Sequence, residues 1–94
     1  MALKTTRWDA AEALTTPERV AAYLEEAFND GDPALIAYSL GVAARAKGMT
    51  GMARKTGISR QTLYRALSDE GNPEFTTVLK VLHALGLRLH ATAI

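Results

Sequence analysis

The chain has 94 residues, a hydrophobic fraction of 48%, a net charge of +1 and no cysteine. That length suits one domain with a modest core and is marginal for two. Without cysteine there is no disulfide framework and no thiolate metal site. No apolar run approaches a membrane span, and the first residues lack the basic-then-apolar pattern of a secretory signal, so the expected location is cytoplasmic.

Residues 1–8 (MALKTTRW) read as an extended arm or edge strand. Asp9 and Glu12 match a capping box, which predicts a short helical turn over residues 10–14, broken by Thr15 and Thr16. Thr16 then caps a first long helix, with Pro17 at its first position, where a missing N–H costs nothing. Val20, Leu24, Ala27 and Phe28 form its apolar stripe, and residues 29–31 (Asn, Asp, Gly) end it. Asp32 and Pro33 repeat the start signal at once, so a tight turn joins this helix to the next. The second helix runs to about Lys47 with Ile36, Leu40 and Ala43 inward, Arg45 and Lys47 near its C-terminal carbonyls, and Gly48 as its stop. Gly41 inside it costs about 1 kcal/mol relative to Ala, which points to close approach of a neighbouring helix.

Residues 50–67 (TGMARKTGISRQTLYRAL) carry the densest pattern. Thr50 is placed to cap a third helix over residues 51–56, and Gly57 ends it. Ser59 caps a fourth helix from Arg60 to about Ser68, with Ile58 and Leu63 at the two positions of a hydrophobic staple. Ala53 is small enough to let two steeply crossing helices approach, and Gly57 accepts backbone geometry that a Cβ disfavours. Residues 70–73 (EGNP) form a loop. A fifth helix covers about 75–85, with Phe75, Val78, Leu79, Leu82 and Leu85 on one side and Gly86 closing it. The tail, residues 87–94, begins with apolar–polar alternation and predicts a half-buried strand. Such a strand needs a partner, and the N-terminal arm is the candidate, either of the same chain or of a second protomer.

Charge is unevenly spread. Residues 1–32 hold seven acids against three bases, whereas residues 33–68 hold no acid and six bases: Arg45, Lys47, Arg54, Lys55, Arg60 and Arg65. A basic middle centred on the 50–67 pattern is the electrostatic footprint of phosphate contact, the alternative being a solvated basic face. On the fourth helix Leu63, Ala66 and Leu67 must face the core, leaving Arg60, Gln61, Tyr64 and Arg65 outward with Ser59 at the N-terminal tip. Arg bonds guanine bidentately and Gln does so with adenine, so this face suits groove reading. Ser59 and the free N–H groups at the helix start suit a phosphate. Thr50, Arg54 and Lys55 are candidates for backbone contacts, which position without specifying.

Enzymatic readings find little support. The two histidines, His83 and His90, lie in the fifth helix and the tail, and no Ser or Asp stands at triad spacing. The acids form no metal-ligand pattern and the glycines no phosphate loop. The expectation is therefore no catalytic residue, no metal and no cofactor.

Residues 50–67 resemble the helix-turn-helix of the Cro/repressor (Xre) type. Over nearly the whole chain the sequence is similar to addiction-module antidote proteins (antitoxins) of HigA type. The resemblance is carried by LKTTRWDAAEAL, PERVAAYLEEAFNDGDPALIAYSLGVAARAKGM and YRALSDEGNPEFTTVLKVLHALGLRLHA, in that order. It implies an all-α, five-helix, lambda-repressor-like domain spanning residues 1–94, with an N-terminal arm and turn over 1–15 and a strand-like tail. It also implies that Ser59, Arg60, Gln61, Tyr64 and Arg65 occupy the DNA-facing positions of a homodimer. The implied partners are double-stranded operator DNA and a toxin of RelE/ParE-like fold, and the implied function is autorepression and toxin neutralisation in a type II toxin–antitoxin module. One position departs from the pattern: Gly51 stands where the family often has Gln or another polar residue that bonds a phosphate. The competing functions are a stand-alone transcriptional regulator without a toxin, and a protein-interaction module with vestigial DNA binding.

Overall fold

The computed structural model describes residues 14–94, so the arm expected over residues 1–8, the Asp9–Glu12 capping box and the start of its helical turn lie outside the described residues. The described residues are all-helical, with no strand: α1 (Pro17–Asp30), α2 (Pro33–Lys47), α3 (Met49–Thr56), α4 (Arg60–Ala66) and α5 (Phe75–Ala84). The first two helices begin as their sequence signals require. The Thr16 hydroxyl accepts the Arg19 N–H at 3.2 Å and the Asp32 carboxylate accepts the Ala34 N–H at 3.2 Å, each just ahead of a proline in the first turn.

The core lies around α3, which packs against α2, α4 and α5. Met52 is completely buried there, among Leu24 of α1, Leu40 of α2, Leu63 of α4 and Val81 of α5. The expected inward residues Val20, Leu24, Ala27, Leu40 and Ala43 are buried, and Ile36 is half-buried.

The start of α3 differs from the expectation. The helix begins at Met49 behind Gly48, with no side-chain cap, and Thr50 is an exposed first-turn residue instead of the cap. Starting earlier puts Met49 on the same face as Met52, one turn apart, and both are buried. Burying an apolar side chain of this size is worth roughly 1.5–3 kcal/mol, whereas a Thr cap is worth about 1 kcal/mol, so the core contact decides.

Close approach at Gly41 is borne out. A Cβ there would run into the backbone carbonyl of Leu67, at the C-terminal end of α4, so the glycine is what lets α2 and α4 meet. Two expected inward residues of α5 are not buried. Phe75, at the first helical position, is 65% exposed: helical side chains lean over the turn that precedes them, and at the first position there is none. Leu79 is exposed beside the tail.

Helix α5 ends in a Schellman motif: Gly86, at φ 84°, donates its N–H to the His83 carbonyl at 2.9 Å, and Leu87 donates to the Leu82 carbonyl at 2.8 Å. This turn aims the tail back toward α1. The tail itself forms no strand, contrary to its alternating pattern. A lone segment cannot complete a ladder, and among the described residues no second strand exists to pair with it. Leu87 is half-buried, and residues 88–94 are exposed.

Candidate nucleic-acid interface

The α3–turn–α4 unit is built by three local devices. Gly57 ends α3 in the left-handed region at φ 75°, and its N–H bonds back to the Ala53 carbonyl. Thr56, buried at this corner, donates its hydroxyl to the Met52 carbonyl at 2.8 Å and accepts the Ile58 N–H at 3.1 Å. Ser59 then caps α4: its Oγ accepts the Thr62 N–H at 3.1 Å and donates to Thr62 Oγ1 at 2.9 Å. Ile58 is half-buried against the core cluster and Leu63 is fully buried, so the two staple positions hold the entry angle from inside.

The contribution of Thr56 had no reading from sequence, because a threonine at a helix end looks like any polar residue until its burial is known. Thr56→Val keeps the shape and removes both hydrogen bonds, leaving the Ile58 N–H without its partner. The expected cost is roughly 1–3 kcal/mol, read as a lower denaturant midpoint with an unchanged slope.

With Leu63 and Leu67 buried and Ala66 half-buried, α4 turns its other side outward. Arg60, Gln61, Tyr64 and Arg65 are all exposed, as is Ser59 at the tip. The Arg60 guanidinium carbon sits 6.0 Å from the centre of the Tyr64 ring, one helical turn away, at the outer reach of a cation–π contact. The spacing of four residues was legible beforehand; the stacking was not. Ser59 is less available than its position suggests, since its hydroxyl is already both donor and acceptor to Thr62.

On α3, Thr50, Arg54 and Lys55 are likewise exposed. All eight candidate residues therefore reach solvent from two consecutive helices and the turn between them. The segment that carries them, residues 33–68, contains no carboxylate to repel a polyanion. At the far end of α4 the Ser68 hydroxyl bonds the Arg65 carbonyl at 3.1 Å and closes the helix before the acidic residues Asp69 and Glu70 begin. Chemically this is a small exposed surface of guanidinium, amide, ammonium and phenol groups spread over two short helices. Both histidines, His83 and His90, are exposed and lie outside it.

Comparison with known proteins places the chain at the level of family. A protein of Haemophilus influenzae described only as uncharacterized is 48% identical over 81 residues, covering 86% of this chain and 84% of its own length. No solved structure matches the chain. The family model described as "Probable addiction module antidote protein" matches residues 4–93. On that match, which takes in every helix of the described residues and the whole candidate surface, the chain belongs to the family of addiction module antidote proteins.

Proposed function

We propose that the protein is a sequence-specific DNA-binding autorepressor that serves as the antitoxin of a type II toxin–antitoxin module. Membership of the antidote family supports the antitoxin half of this reading and implies a toxin partner in general. The DNA-binding half rests on one observation: Arg60, Gln61, Tyr64 and Arg65 share the exposed side of a capped helix in an acid-free segment. In this reading α3 and α4 form the helix-turn-helix of a lambda-repressor-like domain, and α4 enters the major groove. Arg60 and Gln61 read base edges, and Tyr64 and Arg65 flank them. Thr50, Arg54, Lys55 and the N–H groups at the start of α4 hold phosphates. Two copies bind two half-sites, a toxin of RelE/ParE-like fold is held by another surface, and the module works in the cytoplasm.

Fluorescence titration of the protein against its own promoter fragment at two salt concentrations tests the reading. Specific binding should weaken steeply with salt, because each phosphate contact releases counterions. Lys55→Gln should lower the slope of log K against log salt by about 1 per bound copy while leaving sequence preference unchanged. Absence of binding at low salt would sink the repressor half and leave only a toxin-binding protein.

A further inference from the structure

A groove of about 820 Å³ lies between α1, α5 and the tail, with Leu24 and Phe28, Leu79 and Leu82, and Leu87 and Leu89 in its lining. Phe28, Leu79 and Leu89 are large apolar side chains that the described residues leave exposed, and all three meet here. Charge does not select what covers them, because the lining holds one acid, Glu25, and one full positive charge, Arg88. The occupant is therefore set by apolar contact and by where it comes from.

The chain delivers a candidate to one end of the groove. It enters the described residues at Leu14, which is buried in the core, and α1 follows from Pro17. The Cγ of Pro17 stands 3.4 Å from the place a Cβ would take on Gly86, the residue at which the tail turns away from α5. Residues 1–13 and the tail thus leave the helical body close to the same end of α1. From Pro17 the lining residues of α1 reach as far as Asn29, about 18 Å along the helix at 1.5 Å per residue. Eight residues in extended form span about 26 Å, so residues 1–8 are long enough to run its length even with residues 10–14 kept as a helical turn. Their sequence, MALKTTRW, brings Met1, Leu3 and Trp8 and no acid. A segment tethered this closely acts at an effective concentration in the millimolar range, which favours it over a free partner of similar contact at micromolar concentration.

We propose that residues 1–8 fold back along α1 and cover this groove within the same molecule, with Leu3 and Trp8 against Phe28, Leu79 and Leu89. The arm is then a strap over the seam between α1, α5 and the tail, and any partner that uses the groove must first displace it. The inference stands apart from the functional reading, since none of the lining residues belongs to α3 or α4.

Trp8 is the sole tryptophan, so its emission reports on the arm in the full chain, with neither DNA nor toxin present. The emission should be blue-shifted relative to the urea-unfolded chain and shielded from acrylamide, equally so at low and at high protein concentration. Leu79→Lys on α5 and Leu89→Lys on the tail alter two exposed residues of different segments. Each should move the emission to the red and raise quenching toward that of the unfolded chain, with circular dichroism unchanged. Leu35→Lys is the control: Leu35 lies on α2, is as exposed as Leu79 and does not line the groove, so Trp8 should behave as in the wild type. Wild-type emission and quenching like those of the unfolded chain overturn the proposal. Shielding that neither groove variant disturbs overturns it as well, because Trp8 then packs elsewhere. Shielding that grows with protein concentration also overturns it and assigns the groove to a second copy.

Discussion

Gly41→Val is expected to destabilise the protein by about 3 kcal/mol, a large fraction of the stability of a small domain. The cause is specific. A side chain at residue 41 points at the carbonyl of Leu67, which is backbone and cannot swing aside as a flexible side chain would. Relief would require moving the end of α4, and Leu67 and Leu63 are both locked in the core. Helix propensity works the other way: replacing an interior glycine gains about 1 kcal/mol, so a net loss for Gly41→Ala as well would show that contact wins. Gly51 is the control. It lies inside α3 with nothing near the position a Cβ would take, so Gly51→Ala should raise stability by up to about 1 kcal/mol. Urea midpoints of the three variants check this. Equal effects of Ala at 41 and 51 would mean that α2 and α4 do not approach as closely as described.

Arg60→Ala should cost roughly 1–3 kcal/mol of discrimination between the operator and a single-base variant of it, with fold stability and toxin neutralisation unchanged. Arg60 is exposed on α4, so its loss should leave the scaffold undisturbed. Binding measured on a panel of operator variants separates the possibilities. Weakening that is the same for every sequence would make Arg60 a phosphate contact and shift base reading to Gln61. Loss of neutralisation would show that the toxin and the DNA share α4. Tyr64→Ala should produce a smaller version of the Arg60 effect, because a cation–π contact at an exposed site is worth about 0.5–1 kcal/mol.

Much of the fold was legible because its signals are local. Thr16, Asp32 and Ser59 announce their helices with a side chain that reaches a nearby N–H, and each does so in the structure. Gly31, Gly48, Gly57 and Gly86 all adopt positive φ where a helix or junction turns. The outward set on α4 followed from spacing once Leu63 and Leu67 were assigned to the core. The misreadings share a different property. Thr50 had the chemistry of a cap, but Met49 was needed inside. Phe75 and Leu79 fit an apolar stripe, yet both stay exposed, one at the first position of its helix and the other lining a groove. The tail alternates as strands do, and alternation alone supplies no partner for its backbone.

By itself, then, the sequence of this protein determined where most of its helices start and stop, the greater part of the apolar face of each, and which polar residues are left on α4. These are properties of neighbours within a few residues, where capping, periodicity and backbone freedom act. Only the tertiary structure decided that Gly41 receives the end of α4, that Thr56 pins the turn from beneath, and that α1, α5 and the tail leave a groove between them. Each depends on segments far apart in the chain meeting at a fixed distance, and packing fixes that distance.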